Sequence, residues 1–567
     1  MLFPLPRRLG GFFKAHAPLC LLLLSLIPPA RAAWAAPAAL PTVGPPTALP
    51  VSGKKAKGPA GKAPDGATAE VADLRTLVPY DEHYGVYVSG QKVGWMRSRL
   101  WLLPQPVLST ELHAKVSGMG KVSDIELTEE RTYAAQSNFS SGLLERITFV
   151  QRAATGAVTV NGKRRDSGTM QLDIKAGGST HTQDIEVTER LGDAMKSADL
   201  ARGAKIGSTA QAVHFDPSIQ KIVRVEHKVV SVQRRNFAGV DTKAVKVISN
   251  YPDLGVNEVA WLDSTGKVLE SQIGGFFVAR LEPPDVAKRL DYTQDLLISA
   301  VVRAPRVLVA PQNITRLSLR FEGFGDTLPP SSPRQEVHAE GTSGPRAGKA
   351  AGQTAAATPV KGSSSTGKPA EGPGAAAGPG VLLVLSKDPL PRRTLLNKPL
   401  GTSAPEVLEA LKPTAFIQSD APELVEAART AVGSSRDVFA ASTKLVGFVY
   451  RHIRSEYVPA YSNALEAFQS ARGDCTEHSI LYVALARAVG IPARVAVGVA
   501  YWPPGDGFGW HAWAEIYVAG RWIAVDPTWN QPIADATHVK LADGGPAEQA
   551  RIVMLLGKLK ITEMKSG

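Results

Sequence analysis

Cys475, His511 and Asp526 supply, in that order, the side-chain types that thiol-based acyl transfer needs: a nucleophile, a base and a carboxylate that orients the base. Cys475 follows Gly473-Asp474 and heads a run in which Ile480, Leu481, Ala484, Leu485, Ala488 and Val489 keep helical spacing, until Gly490 and Pro492 stop it. At a helix start, unpaired backbone amides and the helix dipole favour negative charge. The position is therefore expected to lower the thiol pKa below its ordinary ~8.5, and an adjacent imidazolium would lower it further. His511 opens the strand-like run HAWAEIYV and Asp526 closes the run RWIAVD, with a turn around Gly520 between them. Neighbouring antiparallel strands would set the two side chains beside each other. Taken singly, a buried cysteine is ordinarily a small hydrophobe and a histidine a satisfied core residue. The three together, in this order and spacing, favour a catalytic set.

The elements that must position them are a thiol-bearing helix packed on an antiparallel sheet built from ARVAVGVAY, HAWAEIYV and RWIAVDP. Two further helices are expected upstream, at APELVEAARTAVG (started by Asp420, ended by Gly433) and at SRDVFAASTKLVGFVYRHIRSEY.

The second cysteine, Cys20, lies in the apolar stretch PLCLLLLSLI, after Arg7, Arg8 and Lys14 and before the small-residue run ARAAWAA. That layout is a secretory signal, with cleavage expected near Ala32 or Ala35. An uncleaved amphiphilic anchor is the alternative. Residues 1–32 are accordingly read as a signal peptide, the mature chain as secreted across the inner membrane to the periplasm or cell envelope, with no transmembrane span. Cys475 then has no partner for an internal disulfide, and a free thiol in an oxidising compartment suits a chemical role.

The net charge of the full chain is +12, and Arg7, Arg8, Lys14 and Arg31, with no acid before Ala33, leave about +8 on the mature chain. No basic stripe is interleaved with aromatics, so nucleic acid is not an expected partner. Residues 33–76 form an Ala/Pro/Gly/Lys-rich linker, and a similar stretch at about 336–380 is read as a disordered insertion in a β-rich region spanning 77–400. ITRLSLRFEGF and GVLLVLSKDP flank that insertion and are expected to share one sheet. The β-rich region is read as mostly antiparallel, with hairpin turns at Gly90, at Asn161-Gly162 and at Gly266 and one helix at TERLGDAMKSADLA. Trp95, Trp101 and Trp261 are read as core or sheet-face residues. An envelope partner, if one binds, is expected on this region. The fold class is α+β, with the catalytic domain at 401–567.

The run GDCTEHSILYVALARAVGIPARVAVG, followed by GWHAWAEIYVAGRWIAVDPTW, resembles the transglutaminase-like superfamily, whose members have a papain-like cysteine-enzyme core. Gly473 and Cys475, Gly490-Ile491-Pro492-Ala493-Arg494, His511-Ala512-Trp513 and Asp526-Pro527-Thr528 carry the resemblance, over roughly residues 414–565. It implies that Cys475, His511 and Asp526 are the catalytic residues. Members include cross-linking transglutaminases, peptidases and deamidases, so the machinery is implied more closely than the reaction. The expected reaction is acyl transfer on protein or peptide amides through a Cys475 thioester, read as peptide or isopeptide hydrolysis because water is the default acceptor. Protein-glutamine cross-linking or deamidation is the nearest alternative, and a non-enzymatic envelope-binding scaffold is the alternative from another class.

The backbone amide of Cys475 is one expected oxyanion donor. Gln469, Tyr457 and Tyr461 are level candidates for a second. Trp510 and Trp513 flank His511 and are read as lining the site, while His478 is read as a surface or supporting residue. No Cys/His cluster has ligand spacing, so neither a metal nor a cofactor is expected.

Overall fold

Consecutive antiparallel pairings build one fourteen-stranded sheet between Tyr80 and Leu281. The computed structural model describes residues 79–567 except 119–120, 136–141, 154–155, 167, 177–178, 275–276, 291–300, 326–327, 340–379, 397–403, 457–462 and 546–548. The expected signal peptide, the 33–76 linker, nearly all of the 336–380 stretch, and Tyr457 and Tyr461 lie outside the described residues.

Strand Lys221–Phe237 shows why these segments are strands: Val223, Val225, His227 and Val229 are buried and the residues between them are exposed, the period of two of a sheet with one covered face. Strand Tyr80–Val88 pairs with Phe277–Leu281, so the two edge strands of the sheet are Ser179–Glu186 and Thr209–Asp216. Helix α1 (Leu191–Gly203) connects those edges and packs on Thr209–Asp216. Buried Arg131 binds Glu129, Glu189 at 2.7 Å and the Phe215 carbonyl at 2.7 Å, which ties the sheet interior to segments at both edges. Every buried charge in that group has an opposite charge or a hydrogen bond, as burial requires.

The turns at Gly90 and Gly266 are present, with φ of 80° and 90°. Asn161-Gly162 is not a turn. Both residues lie inside strand Gly156–Arg164, where a Cβ at position 162 would crowd Ile147 and Met170. Glycine is needed there for interior packing, not for positive φ.

The rest of the chain brings β1 (Val302–Arg303), β2 (Arg316–Glu322), β3 (Gln335–Ala339) and β4 (Val381–Ser386) together with later elements. These are α2 (Pro422–Val432), α3 (Val438–His452), α4 (Ala464–Ser470), α5 (Cys475–Ala488), β5 (Ala493–Trp502), β6 (Gly507–Val518), β7 (Arg521–Val525), β8 (Val539–Asp543) and β9 (Lys560–Ser566). One sheet has the order β1-β6-β5-β8 with β7 also on β6, and a second has the order β3-β4-β2-β9. β2 and β4 pair directly, Leu319 opposite Leu383, so the two runs that flank the polar stretch share a sheet. Two pairings cross the expected division at 400/401: Val302 with Phe508, and Leu319 with Met564. Helix α5 is buried on all sides from Cys475 to Ala486, packed against α2, α3 and α4 and against β5 and β6. The α+β class, with a thiol-bearing helix on an antiparallel sheet, is the architecture found.

Candidate active site

Asp474 caps α5, its side chain accepting the Thr476 amide at 2.9 Å and the Glu477 amide, while the Glu477 carboxylate accepts the Asp474 amide at 2.9 Å. Gly473 makes this possible, because a Cβ there would overlap the Glu477 side chain. The Asp474 carbonyl takes the His478 amide. Among the described residues, the Cys475 N–H is thus the first-turn donor left without an acceptor. The sulfur of Cys475 is buried and accepts the Ala512 N–H at 3.4 Å.

Ala512 follows His511 in β6. The β6–β7 register sets Ala514 opposite Val525, which places Asp526 across from Trp513 and diagonal to His511 on the same face. The His511 Nε2 donates to Asp526 Oδ2 at 2.9 Å. Its Nδ1 is buried and has no hydrogen-bond partner among the described residues. Asp526 Oδ1 accepts the amides of Thr528 at 2.7 Å and Trp529 at 3.2 Å. Trp529, half-buried, stacks on the His511 ring at 4.2 Å and 11°, closing one face of the imidazole.

Burial pushes the Cys475 thiol well up, and the Asp474 charge beside it acts in the same direction. The expectation of a lowered thiol pKa is therefore corrected: complete burial beside a carboxylate outweighs the helix start. Burial also opposes ionisation of Asp526, but the charges of His511 and His538 and their hydrogen bonds hold its carboxyl well below the usual range.

His538 and Asp535 were not legible in the sequence. His538 precedes β8, and its Nε2 donates to the same Asp526 Oδ2 at 3.1 Å, while its Nδ1 faces Asp535 Oδ1 at 3.1 Å. Gly498 permits the approach of β8, since a Cβ there would overlap the Val539 carbonyl. The ligating atoms of His511, Asp526 and His538 lie within 4.8 Å of one another, the one grouping among the described residues that could hold a metal ion. Both ring nitrogens of His538 face carboxylate oxygens, which only accept, so neither offers a lone pair to an ion.

Trp513 lies on the face of His511, with ring centroids 6.1 Å apart. Trp510 lies one residue before His511, and strand alternation turns it to the opposite face, so it does not line the imidazole. Gln469 is exposed near the end of α4. His478 is no surface residue: it is buried, its Nδ1 donates to the Asp474 carbonyl at 2.6 Å, and burial pushes its pKa down to about 4.

Residues 426–527 match the transglutaminase-like superfamily. The chain carries a transglutaminase-like domain. The match spans Cys475, His511 and Asp526 and stops short of Asp535 and His538. Among solved structures, the chain is similar to a candidate cysteine protease from Cytophaga hutchinsonii, at 17% identity and a TM-score of 0.27 over 45% of this chain and 90% of that one. It is similar to a β-barrel-like protein of a domain of unknown function from Brucella abortus, at 14% and 0.29 over 36% and 96%. It is also similar to the periplasmic domain of TgpA from Pseudomonas aeruginosa, bound to ethylmercury, at 19% and 0.20 over 27% and 57%. No curated protein matches the chain. No helix among the described residues is long and apolar enough to cross a membrane.

Proposed function

We propose that the transglutaminase-like domain performs thiol-dependent acyl transfer on protein or peptide amides, with water as acceptor, so that the net reaction is peptide or isopeptide hydrolysis in the cell envelope. The observation that carries the reading is the His511 ring. Asp526 holds one nitrogen, the other is buried without a hydrogen-bond partner among the described residues, and the next residue in the strand touches the Cys475 sulfur.

Because burial keeps the thiol protonated at neutral pH, the sulfur needs a base at the moment of attack. The Cys475 proton passes to His511 Nδ1 as sulfur adds to the amide carbonyl. Asp526 stabilises the imidazolium and fixes the ring. The Cys475 N–H at the start of α5 supports the oxyanion. Collapse breaks the C–N bond, His511 gives its proton to the leaving amine, and a thioester remains on Cys475. Water, deprotonated by His511, then adds to the thioester, and expulsion of the protonated thiol releases the acid. The envelope location rests on the signal-like residues 1–32.

The test is hydrolysis of envelope peptides in ¹⁸O-labelled water. One labelled oxygen should enter each new carboxyl group, and Cys475→Ala should remove the release of amine. Transfer of the acyl group to an added amine in preference to water would make the enzyme a cross-linker.

A further inference from the structure

Asp526 is shared between two histidines. Its Oδ2 receives Nε2 of His511 at 2.9 Å and Nε2 of His538 at 3.1 Å, and its Oδ1 receives two amides, so its lone-pair sites are filled. His538 is gripped from its other side by Asp535 Oδ1 at 3.1 Å. With an ionised carboxylate on each nitrogen the ring carries two protons and is a cation. It lies 5.6 Å from the His511 ring and meets Trp513 and Trp529 edge-on, each at 5.2 Å, so little water screens its charge.

The segment that bears His538 is fastened from residues far upstream. The Arg334 guanidinium donates to the Asp535 carbonyl at 2.7 Å, and Gln335 exchanges two 2.8 Å bonds with the Lys540 backbone. Gln531 donates to the second Asp535 oxygen at 2.8 Å, and Thr537 donates to the first through its amide at 2.8 Å and its hydroxyl at 2.6 Å. A buried ion triad costs desolvation, and none of it is needed to make the His511–Asp526 bond.

We infer that His538 is a positioning residue of the thiol site: held as an imidazolium between Asp535 and Asp526, it fixes the carboxylate oxygen that His511 uses and sets the charge felt by the Cys475–His511 pair. The inference rests on the proposed role of that pair. Burial works against the cation, yet the two carboxylates raise the His538 pKa to about 9, so the charge is present at neutral pH. Among the described residues, the charged and titratable groups facing His538 are Asp526 and Asp535 from the 526–538 loop and His511 from β6, with the Arg334 guanidinium held on the Asp535 carbonyl beside them. Beyond His511 lie Cys475, Asp474 and His478 at the start of α5.

The sign of the effect does not depend on which proton the thiol site loses first. Removing a nearby cation makes the thiolate less stable and the His511 imidazolium more stable, so both ionisations move to higher pH.

The rate of Cys475 alkylation by iodoacetamide, followed across the titration range of thiol and imidazole by mass spectrometry of the Cys475 peptide, reads this directly. In the full chain, His538→Gln should raise the midpoint of the profile by about one pH unit or more, for a charge at this separation. His538→Asn removes the same cation with a smaller polar side chain and should move the midpoint the same way. If His538→Gln does not fold, His538→Asn carries the test alone. Unchanged midpoints in the variants that fold, with or without slower alkylation, would overturn the inference and leave His538 a packing residue. A wild-type thiol that is not alkylated anywhere in the range would instead contradict the proposed function.

Discussion

The sulfur of Cys475 accepts the backbone N–H of Ala512 at 3.4 Å, which seats the thiol against the strand residue next to His511. An ionised sulfur is the stronger acceptor, so this bond tightens as the proton leaves and partly offsets the cost of a buried charge. The helix start and the β6 strand therefore act on the same atom from two sides.

His511→Ala should reduce amide cleavage nearly to the level of Cys475→Ala, because His478, the other imidazole at the start of α5, is buried with its pKa pushed down to about 4 and is a poor replacement base. Asp526→Asn should keep a trace of activity, about a thousandfold or more below wild type, since ring orientation and charge stabilisation are lost while the nucleophile remains. Steady-state rates on one released peptide, alongside melting curves showing all variants folded, check both statements.

The Asp535–His538 pair should give the protein a pH window of stability. The Asp535 pKa is about 2 in the folded state, because the His538 charge and its hydrogen bonds outweigh burial, and that contribution is lost as pH falls below the ordinary carboxylate range. The His538 pKa is raised to about 9, so its contribution is full below the ordinary imidazole pKa and fades as pH rises toward 9. These are two views of one interaction, worth roughly 2 kcal/mol at its maximum. The difference in melting temperature between wild type and His538→Gln, which isolates the pair, should be largest and flat between about pH 4 and 6.5 and should shrink on each side.

Glu258 should act in the opposite sense. It is buried in the fourteen-stranded sheet, Ser271 donates to it at 2.5 Å, and burial pushes its carboxyl up to about 7. The folded state keeps a proton that the unfolded chain has lost, so stability falls as pH rises through that interval. Glu258→Gln should gain about 2–3 kcal/mol at mildly alkaline pH and nothing near pH 4. Denaturant titrations at the two pH values test this.

Residues 340–379 join two adjacent antiparallel strands, with Ala339 opposite Val381. Replacing them with a short Gly-Ser turn should leave melting temperature and Cys475 alkylation unchanged within error, because loop length alone changes closure entropy by only ~0.6 kcal/mol per doubling. A loss of either property would show that the segment contributes contacts.

Cys475, His511 and Asp526 were legible because their relation is local: one helix start, and one hairpin whose register follows from its turn. His538 was not. It reaches Asp526 because β8 pairs with β5 across Gly498 and because Arg334 and Gln335, some two hundred residues upstream, hold its loop. No short spacing encodes that arrangement. Trp529, three residues past Asp526, could have been read as a cover for the imidazole. The thiol pKa was misjudged for the same reason as His538: a helix start is visible in sequence, whereas complete burial is a property of the assembled fold. Asn161-Gly162 has the composition of a turn, but packing against Ile147 and Met170 decided its place.

The central claim is that Cys475 carries the acyl group. The protein should be incubated with cell-envelope extract and quenched in acid, and the Cys475 peptide examined by mass spectrometry before and after hydroxylamine. This role of Cys475 predicts a hydroxylamine-labile adduct on its sulfur whose mass matches the acyl half of a cleaved amide, with no cleavage by Cys475→Ala. Amide cleavage by Cys475→Ala at the wild-type rate would contradict it.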